Sequence, residues 1–226
     1  MSDHGTERTT AHPAVQVRRL VPDDAPAYRA LMLDAYRDHP DAFTSSAEER
    51  AAQPTDWWAW RLAAGDAVAQ RVFGAFEGDR LVGAAGWSRG DRAKVVHRAE
   101  LFGMAVAAAA RERGAGRALV EAVLADARAA GVLTMTLTVT DGNGAAERLY
   151  ARCGFVRIGL EPMAVRLGDT FAAKATLWRR LDVHAPQPED ADAPGEVGGA
   201  SDGRREQETP IVQLTTDDGA QGTGCS

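Results

Sequence analysis

The residues Arg111-Glu112-Arg113-Gly114-Ala115-Gly116 constrain this chain most, because they separate an apolar run from a long amphipathic one. Residues 99–106, apolar except for Glu100, predict a buried strand. Residues 117–130 place Leu119, Val120, Val123 and Leu124 at helical spacing. A glycine-rich turn that feeds a helix leaves the first backbone N–H groups without intrahelical partners, and the aligned peptide dipoles add partial positive charge there. Such a turn is a ready anion site, most naturally for phosphate. Glycine suits it because a Cβ would obstruct a pyrophosphate and resist the dihedrals of the turn. Two common phosphate loops fail on the letters. A dinucleotide fingerprint starting at Gly114 requires glycine where Leu119 stands, and the NTPase loop requires Gly-Lys-Ser/Thr where Gly116 is followed by Arg117 and Ala118. What remains is Arg-x-x-Gly-x-Gly.

A second pattern follows downstream. Residues 133–140 alternate threonine with apolar side chains, which predicts a strand. Then come Asn143, Ala146, Leu149 and Tyr150, followed by Gly154 and Phe155. The two patterns together resemble the GCN5-related N-acetyltransferase (GNAT) superfamily. Its acetyl-CoA motif is Gln/Arg-x-x-Gly-x-Gly/Ala, and its second motif is Asn-x-x-Ala-x-x-Leu-Tyr followed by Gly-Phe. Every named position is matched, and Asn143 is the only asparagine in the chain. The resemblance covers roughly residues 15–182. It implies an α/β fold with a mixed central sheet, flanked by helices, whose parallel fourth and fifth strands splay apart to admit the coenzyme.

The resemblance also implies roles. Arg111, Glu112, Arg113, Gly114, Ala115 and Gly116, with Arg117 just beyond, would hold the coenzyme diphosphate through backbone N–H groups and guanidinium charge. Met104, Ala105 and Val106 would offer strand backbone to the pantetheine arm. Tyr150 is the candidate general acid for the departing thiolate, since a phenol near pKa 10 stays protonated at neutral pH. Asn143 would bond the pantetheine, cap the following helix, or both. Glu100 is the candidate general base; its structural alternative is a carboxylate at the solvent end of a strand, paired with an arginine. Phe43, Trp57 and Trp58, with Trp60, form an aromatic group that would line an acceptor pocket or close a small core. His97 reads as a surface residue and Cys153 as packing, and no Cys/His spacing suggests a metal site.

Residues 1–13 are polar and aperiodic, and 184–226 are rich in Pro, Gly, Asp and Glu; both segments are expected to be disordered, leaving a domain at 14–183. Within it, 15–20 alternates as a first strand, and 71–76 and 81–87 flank a hairpin turn. Pro22, Ser45-Ser46 and Pro54 open helices, and 155–160 and 171–181 supply closing strands. The net charge of −6 says little about partners. Residues 184–226 hold nine acidic and two basic residues, which leaves 23 acidic and 24 basic before them. The near-neutral remainder shows no basic stripe, so no nucleic-acid partner is expected. No apolar run spans a bilayer, no hydrophobic leader opens the chain, and Cys153 and Cys225 are its only cysteines, so no membrane contact and a cytoplasmic location are expected.

The resulting expectation is an acetyl-CoA-dependent N-acetyltransferase. It would act on a primary amine of a small molecule by direct transfer in a ternary complex, without a metal, as a monomer or homodimer. The alternatives are a protein or peptide acetyltransferase and a non-catalytic acyl-CoA-binding module.

Overall fold

The computed structural model of the chain describes residues 14–63 and 70–181. The segments 1–13 and 184–226, both expected to be disordered, lie outside the described residues. Four successive antiparallel strands open the sheet: β1 (Gln16–Arg19), β2 (Gln70–Glu77), β3 (Arg80–Arg89) and β4 (Arg98–Val106). The helices α1 (Ala25–Asp38), α2 (Ala47–Ala51) and α3 (Thr55–Leu62) lie between β1 and β2 in the chain. Beyond β4 come α4 (Ala115–Ala129), β5 (Thr134–Thr140), α5 (Gly144–Arg152), β6 (Val156–Leu167) and β7 (Thr170–Arg180). The strand order is β1-β2-β3-β4-β5-β7-β6, and β4 and β5 run parallel. This is the mixed sheet that the two motifs imply.

Two apolar clusters sandwich the first half of the sheet. Phe73 and Ala75 of β2 join α4, while Val72 and Phe76 join α1 and α3. A strand covered on both faces must be apolar along its length, which is why β2 and β3 read as continuous runs. In α4, Leu119, Val120 and Val123 are fully buried, each worth roughly 1.5–3 kcal/mol relative to exposure. The strand β5 differs. Met135, Leu137 and Val139 enter the α4 cluster, while Thr134, Thr136, Thr138 and Thr140 occupy the other face, half-buried or exposed. The alternation seen in the sequence marks the point where the helical cover on that face ends.

The parallel pair is short. Its ladder joins Arg98, Ala99 and Glu100 to Thr134, Met135 and Thr136, and stops there. A bulge in β4 accompanies the parting: Gly86 faces Phe102 and Ala84 faces Ala105, so Ala85 alone opposes Gly103 and Met104. Gly103 has φ +61°, a conformation that side-chain-bearing residues resist. Bulges bend and twist the strand that carries them, and here the bend falls where β4 leaves β5.

The closing strand β6 runs to Leu167, well past the 155–160 expected. Pro162 masks its continuation, and the register against β7 shifts between Glu161 and Val165, with Met163 at φ +55°. An edge strand tolerates a proline because one side of its backbone needs no ladder partner.

A polar joint fixes α4 on the sheet. The Asp126 carboxylate accepts from Trp87 Nε1 at 2.8 Å and from Arg71 Nη1 at 2.9 Å. Replacing Asp126 with alanine removes the acceptor from a buried indole and a half-buried guanidinium. It should lower stability by about 2–3 kcal/mol in urea unfolding, with Asp126→Asn losing less. A loss below about 0.5 kcal/mol would show the joint to be incidental.

Candidate active site

The divergence of β4 and β5 opens onto a cavity of about 1020 Å³. Its walls come from the second half of α1, the turn at residues 39–43, the end of β4, the turn leading into α4, and α5. At the α4 end, Gly114 is the residue before the helix, with φ +85° and ψ −5°. A Cβ placed there would meet nothing within 4 Å. The glycine therefore serves the backbone conformation, and packing of the protein on itself does not demand it. No side chain caps this helix and its first turn holds no acidic residue. The positive end of the dipole is thus left for a ligand, and Gly114, Gly116 and Arg117 line the cavity in front of it.

The arginines around this turn differ in how they are held. Arg111 lines the cavity, donates through Nε to the Val106 carbonyl at 3.2 Å, and lies 2.6 Å through Nη2 from His39 Nε2. A guanidinium only donates, so the imidazole nitrogen is the acceptor and the proton sits on Nδ1. Arg113 instead meets Glu77 at 3.2 Å, and the same carboxylate binds Arg80. Those guanidinium hydrogen bonds hold the Glu77 carboxyl below its ordinary range. Arg113 thereby fastens the turn at 111–116 to the β2–β3 hairpin and does not line the cavity. Arg117 pairs with Glu121 one turn along at 2.7 Å. Glu112 has φ +63° and lines the cavity beside Gly114, and Ala115 is buried behind them. The sequence did not single out Arg148 and Arg152, which stand one turn apart on α5 and line the same cavity. Ala145, Arg148, Leu149 and Arg152 share one helical face, and that spacing was the signal that could have found the two arginines.

Met104, Ala105 and Val106 form the wall next to the turn. Because the parallel ladder ends at Glu100, the edge of β4 that faces β5 carries no strand partner along these residues. Across the opening, Asn143 caps α5, its Oδ1 accepting from the Ala146 N–H at 3.2 Å, and it lines the cavity as well. The capping reading of this residue is thus met, in a position that also faces the cavity.

Tyr150 and Glu100 stand apart from the lining. Tyr150 is buried against Phe155, edge to face at 5.8 Å, inside the α4 cluster. Burial pushes its phenol well above the usual range. Its neighbour Leu149 reaches the cavity wall. Glu100 is exposed at the base of the fork, level with Ser88 on β3 and Thr136 on β5.

The aromatic group divides. Phe43 lines the cavity, edge on to Tyr36 at 4.6 Å. Trp58 is buried between Tyr28 and Trp57 in the second cluster. Trp57 is occupied by the chain's own cations, with Arg50 and Arg61 each 4.9 Å from its ring. Trp60 is exposed. Asp34, Asp38 and His39 complete the wall on the α1 side. Among the described residues, no group of three or more His, Cys, Asp or Glu could hold a metal ion, and no helix is long and apolar enough to cross a membrane.

The arrangement offers an unneutralised helix N-terminus, cationic side chains and an unpaired strand edge along one cavity. That combination suits a long phosphorylated ligand bearing amides. The model of the acetyltransferase (GNAT) family matches residues 30–155, from α1 to the turn that follows α5. No curated protein matches the chain. Solved structures share the fold. A GCN5-related N-acetyltransferase from Kribbella flavida is 23% identical, with a TM-score of 0.64 over 74% of this chain and 98% of that one. The yncA protein of Salmonella typhimurium, solved with its cofactor acetyl-CoA, is 20% identical, with a TM-score of 0.61 over 76% and 97%. A ribosomal-protein-alanine N-acetyltransferase from Brucella melitensis is 22% identical, with a TM-score of 0.61 over 74% and 99%.

The turn makes a direct prediction. A β-branched residue at the φ of Gly114 is strained by roughly 1–3 kcal/mol, so Gly114→Val should either distort the turn or destabilise it. Calorimetric titration should show at least a ~10-fold loss of acetyl-CoA affinity, the equivalent of about 1.4 kcal/mol. Undiminished affinity would place the diphosphate elsewhere.

Proposed function

The chain belongs to the acetyltransferase (GNAT) family, whose reaction is N-acetylation from acetyl-CoA, and on that basis we propose that it acetylates a primary amine of a small molecule by direct transfer with both substrates bound. One observation carries this reading: a single cavity runs from the uncapped start of α4, past the unpaired edge of β4, to the wall formed by residues 39–43. The diphosphate lies on the N–H groups of the turn at 111–117, with Arg111 and Arg117 supplying charge. The pantetheine amides pair with the backbone of Met104, Ala105 and Val106 as an added strand would, and Asn143 faces them from the other lip. The acetyl end then lies toward Phe43, on the acceptor side, with Trp57 and Trp58 supporting that wall from behind. A free, buried Cys153 suits the reducing cytoplasm, where acetyl-CoA is made and used.

Transfer needs the amine free of its proton. Its nitrogen attacks the thioester carbonyl carbon, the resulting tetrahedral centre collapses, and the C–S bond breaks. The thiolate takes a proton from Tyr150, and the proton shed by the nitrogen passes to Glu100 through ordered water. Tyr150 follows Leu149 of the cavity wall and is packed in the α4 cluster, so the role requires the phenol to reach the thiolate past that wall. Its raised pKa keeps it protonated at neutral pH but makes it the weaker donor. The exposed position of Glu100 at the fork supports a relay more than direct contact. A peptide acceptor is the second reading. It draws on the threonine face of β5, where Thr138 is exposed and an extended chain could lie.

The test is CoA release from acetyl-CoA with a panel of small primary amines and of peptides with free N-termini. Small amines should turn over with the higher kcat/KM; peptide preference would install the second reading, and tight acetyl-CoA binding without turnover would indicate a binding module. Tyr150→Phe should lower kcat by about 100-fold while the acetyl-CoA Kd stays within about twofold. Since the acid must be protonated and its pKa is raised, the wild-type rate should show no alkaline fall from this group below about pH 10. Glu100→Gln should cut kcat by at least ~10-fold at unchanged coenzyme affinity, and an unaltered kcat would make Glu100 structural.

A further inference from the structure

Among the described residues Lys174 is the one charged or polar residue buried along its whole length, backbone included, at 4% exposure. It sits on β7 opposite Thr140 of β5, so the two side chains share one face of the sheet. Its Nζ donates to the Asp41 carbonyl at 2.9 Å, the Ala42 carbonyl at 2.8 Å and Thr140 Oγ1 at 3.1 Å. The Thr140 hydroxyl in turn donates to the same Asp41 carbonyl at 2.9 Å. Three donors thus meet three oxygens, which is the full capacity of an ammonium. An ammonium taken out of water is costly even when satisfied, and burial lowers the pKa of this one. Stability alone would be served as well by an apolar side chain of similar volume.

What the lysine holds explains its place. Residues 40–42 form a single 3-10 turn, too short to fix its own position, packed against α1, β5 and β6. One flank meets the phosphate turn through His39 and Arg111; the other is tied to β5 and β7 by Lys174 and Thr140. Between these ties, His39, Ala42 and Phe43 line the cavity on its acceptor side. The two ties differ in kind. Arg111 would turn to the coenzyme diphosphate, whereas no acceptor of Lys174 belongs to the phosphate turn.

We infer that Lys174 is a positioning residue for the acceptor amine: it holds the strap at residues 39–43 against β5 and β7, setting the wall that the acceptor meets whether or not the coenzyme occupies Arg111. This rests on the proposed acetyl transfer, and it gives that reaction a residue on a strand that neither motif reaches.

Lys174→Met keeps the length of the side chain and removes every donor. With the best amine of the panel, its acceptor KM should rise about 10-fold, with kcat within about threefold and the acetyl-CoA Kd within about twofold. Thr140→Val, which removes a donor to the Asp41 carbonyl and an acceptor of Lys174, should raise the acceptor KM by about threefold, and the double variant should be no worse than Lys174→Met. Amide exchange over residues 36–46, with and without acetyl-CoA, should quicken in both variants while α4 keeps its protection. An unchanged strap exchange in either folded variant overturns the inference, whatever amine is or is not turned over. So does a coenzyme affinity that falls as far as acceptor affinity, which would make Lys174 a structural plug. Should Lys174→Met fail to fold, Thr140→Val decides alone. Absence of any heat with acetyl-CoA in the wild type would overturn the proposed function, a result distinct from either of these.

Discussion

The candidate site depends on two parallel strands that pair for three residues and then separate. Backbone N–H and C=O groups inside a protein need partners, and a sheet ordinarily supplies them. Here β4 and β5 stop pairing with each other beyond Glu100 and Thr136. The left-handed glycine at 103 sets the bend, and α4 and α5, starting on either side of the gap, add two helix N-termini nearby. The opening is therefore a deficit of hydrogen bonds that a ligand with amides and phosphates can make good.

Charge is arranged around that deficit with some economy. Of the arginines near the phosphate turn, Arg113 is spent on Glu77 and shapes the loop, while Arg111, Arg117, Arg148 and Arg152 remain on the cavity wall. The first turn of α4 carries no carboxylate. On the far side, Asp34 and Asp38 bring negative charge to the α1 wall. The cavity is cationic where the anionic end of a coenzyme would lie and acidic toward the opposite wall.

How much of this was legible in the letters depends on the range of the interaction involved. The turn at 111–116, the strand before it and the helix after it follow from local periodicity and from glycine, and they stand where the sequence put them. The threonine alternation of β5 was equally plain, and it encodes a strand covered on one face. Features set by distant partners were not legible. Nothing near Trp57 in the sequence says that Arg50 and Arg61 will take its ring. Gly103 reads as one more small residue in an apolar run until its register with Ala85 is known. The closing strand expected at 155–160 continues past Pro162 to Leu167 as an edge. Lys174 lies more than 130 residues from the carbonyls it satisfies, and no motif includes it.

The pairing of Thr140 with Lys174 has a consequence for how the sheet assembles. In a strand, a shift of one residue exchanges the two faces. Were β7 to slip by one against β5, the ammonium would point into the layer that holds Leu137 and Val139, far from the carbonyls at 41 and 42. The apolar side chains of β7 would emerge among the threonines. A misaligned ladder thus strands a cation in oil at one stroke, and the correct alignment is proofread by a single side chain near its end.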